Sequence, residues 1–496
     1  MRERIVSLDV GTTVAKAVVF DRQGREMGLA EYSYGISTPE PGHVELDPEQ
    51  VFTACCRAMA DVAGPDVVAI CLTTQGGSLI PADDSGRALS PMVTWMDRRA
   101  EGLVNSWFED GTAGWMRGIC GWAPQPGLPL PVICWFRVHQ PGQFARTKRW
   151  LGVNDWLTGR LTGRFATNPS LAAEMMLMDI GAQTWSAQMC DFAGISPETL
   201  SPVLPSDAVV GTLFSDLARS LGLAEDVVLV NGGQDHCCEA LAVGMTDEGT
   251  GLLACGTAWV INGAMGSARM DDVPPRMDLN VHVVPERWIA SQYLGGLGGA
   301  IEWWASRFCE GLFEREPDHR DAVYTKMGKA LDESPVGARG ITFLPLEGSM
   351  NCSDPVRGQF RGLDWSHGFE DMTRALFESA VMEVRWAIDE WAHAGHPLRE
   401  LWMIGGATRS PALPGMIADS TGIPVVMTGY SHGPALGAAM LGAVCLGFYD
   451  NLDDVRRGFA VKRTVRRPES SRKSAYDELY NRYRREAKRG GRKDDE

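Results

Sequence analysis

Short runs of aliphatic and β-branched residues recur along this chain, and most break off in glycine before a polar turn. Such runs predict buried strands, because a strand covered on both faces needs no polar alternation. The most informative one lies near the midpoint. Val227 to Val230 predicts a strand, Asn231-Gly232-Gly233 breaks it, and Cys237 to Val243 has helical composition. Asp235 is thereby placed at the mouth of a sheet, where backbone N–H groups and a helix N-terminus make a polar, anion-tolerant site. Asp is also a preferred N-cap, and capping is the better account of this stretch when it is read alone.

The chain opens in the same style. Ile5 to Asp9 predicts a strand, Gly11-Thr12-Thr13 a tight turn and Ala15 to Phe20 a second strand. Asp21 to Gly24 then reads as a hairpin turn and Glu26 to Tyr34 as a third strand. A Gly-Thr-Thr turn can aim N–H and hydroxyl donors at phosphate oxygens. Asp9 beside it can hold Mg²⁺ through water, although an ordinary hairpin with an edge aspartate fits the same residues. Asp47-Pro48-Glu49 caps a helix to about Ala63, and the strand Val67 to Leu72 runs into Thr73-Thr74-Gln75-Gly76-Gly77-Ser78. Glycine-rich strand ends of this kind bind ligands in open α/β sheets. Trp95-Met96-Asp97-Arg98-Arg99 offers an aromatic face, a carboxylate and guanidinium groups, which suit either a polyhydroxylated ligand or a surface ion-pair patch.

After the midpoint the opening theme returns. Gly251 to Ile261 reads as strand, Gly256-Thr257 turn and strand, so each half begins with a Gly-Thr hairpin, as an internal duplication around a cleft would have it. Leu294 to Trp304 is a glycine-rich loop entering a helix. Leu401 to Ile404 is a strand that breaks into Gly405-Gly406-Ala407 before Ser410, and there a flat ring could lie against bare backbone. Ala435 to Tyr449 is apolar over about 15 residues, short of the roughly 20 a membrane span needs, so it predicts a buried helix. In Lys462 to Glu496, thirteen Lys and Arg face seven Asp and Glu. Tyr476, Leu479, Tyr480 and Tyr483 sit at helical spacing, which predicts an amphipathic helix from Ser474 to about Lys488 with a frayed end beyond it.

Composition narrows the function classes. A chain of 496 residues exceeds one core and predicts two large domains. A net charge of −16 argues against a general nucleic-acid binder. The twelve cysteines include no C-x-x-C spacing, which fits reduced thiols in a cytoplasm better than zinc or a disulfide framework. Met1 to Arg4 leads straight into a strand, with no signal peptide and no membrane element expected. His236, Cys237 and Cys238 are consecutive and make a poor chelate.

Taken together, the order of motifs resembles the FGGY carbohydrate kinases of the sugar kinase, Hsp70 and actin superfamily. The resemblance rests on D-x-G-T-T at Asp9 to Thr13, W-x-D-x-R at Trp95 to Arg99, Gly233-Gln234-Asp235 and the second hairpin at Gly256-Thr257. It continues with Phe343-Leu344-Pro345, the run from Asp354 to Leu363, and G-G-A-x-x-S at Gly405 to Ser410. It implies an α/β fold of two RNase H-like, actin-like ATPase domains, 1–244 for sugar and 245–496 for ATP. Each would hold a five-stranded mixed sheet flanked by helices, with a cleft between them. By position, Asp235 would be the general base, and Asp9 with Asp235 would hold Mg²⁺. Gln75, Gly76, Gly77, Trp95, Asp97, Arg98, Asp235 and His236 would face the sugar. Thr12, Thr13, Gly256, Thr257 and Gly299 would lie near the phosphates, and Gly405, Gly406, Ala407 and Ser410 near adenine. A homodimer is implied at the same level.

Departures from the pattern bear on the substrate. Xylulose kinases usually carry Gln-Met-His-Gly where this chain has Gln75-Gly76-Gly77-Ser78, and glycerol kinases carry Arg-Glu at the two glycines. The family's first signature has a lysine shortly before its Trp, where Val132 precedes Trp135 here, and His236 stands where many relatives have Asn or Gln. The expectation is a kinase of a pentulose such as xylulose, with a gluconate-like acid, a tetrulose or a glycerol-like polyol as alternatives. Arg98 and Arg99 are the nearby cations that would welcome an acid. A sugar sensor without activity and an ATP-driven machine of the same superfamily are the non-kinase readings. Retention of Asp9, Asp235 and both Gly-Thr turns speaks against the sensor, and the W-x-D-x-R loop against the machine.

Overall fold

The computed structural model describes residues 3–309, 319–345, 358–430, 432–459 and 462–489. Residues 354–357 of the Asp354 to Leu363 run and the end of the basic tail, expected to fray, lie outside them.

Two mixed sheets carry the fold. The first is built from β1 (Arg4–Val10), β2 (Val14–Phe20), β3 (Glu26–Ser33), β4 (Val67–Thr74), β5 (Val209–Thr212) and β6 (Val228–Gln234), ordered β5-β6-β4-β1-β2-β3. Helices α1 (Pro48–Val62), α2 (Val153–Thr162) and α3 (Pro169–Glu174) join these strands, and α4 (Asp235–Val243) follows β6. The second sheet contains β7 (Thr250–Cys255), β8 (Trp259–Met265), β9 (Asp278–Val281), β10 (Trp288–Tyr293), β11 (Glu400–Ile404), β12 (Val425–Thr428) and β13 (Arg463–Arg466), ordered β9-β10-β8-β7-β11-β12-β13. Its helices are α5 (Leu297–Phe308), α6 (His319–Glu333), α7 (Phe369–His393), α8 (Leu413–Thr421), α9 (Gly433–Cys445) and α10 (Lys473–Arg489).

The sheets share one plan. Three antiparallel strands (β3-β2-β1, β10-β8-β7) are extended by two parallel ones (β4-β6, β11-β12). The expected five strands are therefore present, but the sheets have six and seven. The additions β5, β9 and β13 are four-residue antiparallel edge strands that satisfy backbone groups the core plan leaves open.

Five layers result. Strand alternation sends Val6, Leu8 and Val10 of β1 toward α1 and α2, and Ile5 to the opposite face. On that opposite face lie α4 and α9, which also pack against Leu252, Ala264, Ile289, Trp402 and Val426 of the second sheet. The far face of the second sheet is covered by α5, α7, α8 and α10, with Tyr476, Leu479, Tyr480 and Tyr483 buried along α10 as its spacing predicts. Helix α9, late in the chain, thus sits against the first sheet as well as the second. No described helix is long and apolar enough to cross a membrane, and the described cysteines are unpaired.

Candidate active site

Three parallel strands, β1, β4 and β6, end side by side, and the first group of expected site residues follows from that. Asp9 pairs across β1 and β2 with Lys16, on the face that carries Ile5 toward the layer of α4 and α9. Gly232, at φ +72°, could carry no side chain: a Cβ there would meet Leu72 O at 1.6 Å. This bulge lets β6 turn directly into α4 with Asp235 as its first residue.

Asp235 is not the cap of α4. The cap is Gln234, whose Oε1 accepts from Cys237 N at 3.0 Å. The same amide donates through Nε2 to Asp235 Oδ1 at 2.7 Å, and His236 N donates to that oxygen at 2.7 Å. Gln234 N in turn donates to Ser170 Oγ at 3.0 Å. Asp235 is thereby fixed through one oxygen, and Oδ2 has no hydrogen bond among the described residues. Its charge is felt nearby. Burial first, and then Asp235, push the Asp9 carboxyl up to about 7, against the pull of Lys16. Glu239, one turn along α4, is raised to about 7 by burial, with His236 opposing the shift and Asp235 and Asp9 adding to it. Glu174 is held well above the usual carboxylate range by burial and by Asp235.

The expected sugar-side residues divide. Gln75 Oε1 accepts from Thr12 Oγ1 at 2.9 Å, and Trp95 Nε1 donates to the same hydroxyl at 3.0 Å. Thr12, expected beside phosphate, therefore spends its hydroxyl on joining Gln75 to Trp95, while Thr13 is exposed at the turn. Gly76 and Gly77 lie beneath this group, Gly76 against Glu174 and Gly77 against Leu128 and Trp95. Asp97 is buried and its carboxylate is fully used: it accepts from Val44 N at 2.7 Å and from Arg99 N, Nε and Nη2 at 2.8–2.9 Å. Arg99 also pairs with Glu45, and Arg98 with Glu101. These contacts hold the 42–46 loop in place. His236 is exposed.

The second sheet gathers the other group. Its parallel strands β7 and β11 end at Cys255 and Ile404. Gly256 and Thr257 are exposed in the hairpin, and Gly299 N in the first turn of α5 donates to Thr257 O at 2.9 Å. Gly405, at φ +90°, passes so near β7 that a Cβ would meet Cys255 O at 2.6 Å. Gly406 and Ala407 form the short turn that follows, and Ser410 Oγ accepts from Leu413 N at 3.3 Å at the start of α8. Directly behind lies a cavity of about 320 Å³ lined by Thr325, Gly328, Lys329 and Asp332 of α6 and by Pro411 and Ala412.

Several residues of this site lie outside the motifs. Lys16 had a signal, a cation just past the Gly-Thr-Thr turn. Gln234 was visible as the residue before Asp235, but the usual cap preference pointed to Asp. Glu174, Glu239 and the α6 residues reach the site only through packing.

Models of one known family match this chain over residues 4–242 (FGGY family of carbohydrate kinases, N-terminal domain) and 252–446 (C-terminal domain). The chain belongs to the FGGY family of carbohydrate kinases. It is an ATP-dependent sugar kinase. It is 26% identical over 488 residues to the xylulose kinase of Lactococcus lactis, covering 96% of this chain and 95% of that one. It is 25% identical to the gluconokinase of Bacillus licheniformis, covering 92% and 90%. Among solved structures, the xylulose kinase from Rhodospirillum rubrum superposes with a TM-score of 0.89 at 26% identity, covering 98% of both chains.

Proposed function

We propose that this kinase transfers the γ-phosphoryl group of ATP to a hydroxyl of a pentulose such as xylulose, with Asp235 as general base. The observation that carries the reading is the state of Asp235, held through Oδ1 by Gln234 and by its neighbour's N–H, with Oδ2 unengaged. A carboxylate so fixed can orient the sugar hydroxyl and take its proton as the oxygen bonds to phosphorus and ADP departs. The sugar lies in the half formed by residues 1–244, against Gln75 and Trp95, and ATP in the half formed by 245–496. Gly256, Thr257 and Gly299 meet its phosphates from one side, with Thr13 and Lys16 facing them from the other. The base stacks near Gly405 to Ala407, toward the α6 cavity.

Asp9 and Asp235 suit Mg²⁺: they are hard oxygen donors, mutually repelling, and few enough to leave room for water and phosphate. The ion, when bound, supplies neutralisation of phosphate charge. Closure of the two halves would exclude water that otherwise hydrolyses ATP. Unpaired thiols suit a reducing, ATP-containing compartment, the cytoplasm.

A neutral substrate is favoured over a sugar acid because both candidate cations are occupied, Arg99 by Asp97 and Glu45 and Arg98 by Glu101. The test is ADP release across ketoses, tetruloses, polyols and aldonates, run beside Asp235→Ala. A pentulose giving the highest turnover, lost in the variant, is the expected result. Equal turnover in Asp235→Ala would refute the general base, and preference for an aldonate would refute the pentulose.

A further inference from the structure

Glu174 ends α3 in a segment with no recognisable motif, and its side chain is buried, with the residue 6% exposed. Asn280 of the second sheet donates through Nδ2 to Oε1 at 3.4 Å, while Oε2 makes no hydrogen bond among the described residues. Oε2 lies instead against Gly76, where a Cβ would come within 1.3 Å of it. The glycine at 76 is thus what admits this carboxyl next to Gln75. The adjacent Gln75 presents a buried group without a partner: Oε1 is tied to Thr12, and Nε2 makes no hydrogen bond among the described residues.

Glu174 Oε2, an acceptor, and Gln75 Nε2, a donor, thus flank the same Gly76 backbone. A buried donor left unpaired, as Gln75 Nε2 is, calls for a ligand that completes it. A sugar hydroxyl matches both, since it donates one hydrogen bond and accepts others.

We propose that Glu174 is a further substrate-binding residue of this kinase, receiving a hydroxyl of the polyhydroxylated sugar. The proposal rests on the kinase reading above. In it the sugar hydroxyl donates to Glu174 Oε2 and accepts from Gln75 Nε2, with no covalent step.

The experiment compares kcat and KM for a panel of neutral sugars in wild type, Glu174→Gln and Glu174→Ala. Glu174→Ala should raise KM for the best neutral sugar about tenfold while kcat moves less, and Glu174→Gln, which keeps the shape and an acceptor oxygen, should fall between. A KM in Glu174→Ala within about twofold of wild type would overturn the proposal. The same panel is titrated calorimetrically. Neutral sugars that bind without being phosphorylated, and bind Glu174→Ala more weakly, would sink the kinase reading and leave Glu174 in its role. Binding unchanged in both variants, or absent for every neutral sugar in wild type, would end it.

Discussion

Asp9 and Asp235 stand at the ends of β1 and β6, two strands apart in one sheet, and the charge of Asp235 adds to burial in raising the Asp9 carboxyl to about 7. An aspartate in the unfolded chain titrates near 4. Below about pH 4 both states hold the proton and the group is silent. Between about 4 and 7 the unfolded chain ionises while native Asp9 keeps its proton, so stability falls as pH rises and levels off above about 7. Asp9→Asn should therefore raise the melting temperature relative to wild type at pH 8 and leave it unchanged at pH 4. Thermal melts of the two proteins across that range check this, and a difference independent of pH would show that Asp9 does not titrate as described.

The contact between Gly76 and Glu174 predicts a coupled pair. Gly76→Ala places a methyl 1.3 Å from Glu174 Oε2, so the carboxyl must move. Overpacking of this kind costs about 1–3 kcal/mol. Glu174→Ala in the same chain should remove most of that cost, with a coupling of about 1 kcal/mol or more. Urea unfolding of the wild type, both single variants and the double variant measures it, and additive effects would mean the carboxyl moves aside freely.

How much of this was legible in the sequence follows from what each residue depends on. The strand, glycine break and helix around Asp235 were readable because β-branched runs and glycines act locally. The two Gly-Thr hairpins gave the shared plan of the sheets for the same reason. The edge strands β5, β9 and β13 were not readable, being four residues long and defined by the partner they pair with. Asp97 shows the limit for side chains: W-x-D-x-R supplies the groups without saying whether they meet a ligand or one another. Thr12 is similar, since its hydroxyl is taken by Gln75 and Trp95, which lie 63 and 83 positions away.

Asp97 can be tested on that point. Its side chain and that of Arg99 are buried together, 0% and 3% exposed, and the carboxylate also holds Val44 N. Glu45 would still pair with Arg99, but losing the Asp97 carboxylate leaves Arg99 N–H groups and Val44 N without their acceptor, at about 1–3 kcal/mol. Asp97→Ala should show this as lost stability in denaturant unfolding, with a sugar KM that changes little in whatever folds. A raised KM at undiminished stability would instead make Asp97 a direct sugar contact.

The last prediction concerns the helix pair between the sheets. Helices α4 and α9 cross where Gly437 meets Cys238, and a Cβ on Gly437 would lie 1.8 Å from the Cys238 carbonyl oxygen. Within a helix, glycine to alanine alone gains up to about 1 kcal/mol. At this crossing the added methyl must push α9 from α4, and overpacking of about 1–3 kcal/mol should outweigh the gain. Gly437→Ala is thus expected to lower the melting temperature although its helix propensity improves. Because α4 begins with Asp235, the displacement should also reduce kcat more than it changes the KM for ATP. A higher melting temperature with kcat intact would mean that the two helices separate without cost, and that α9 does not set the position of Asp235.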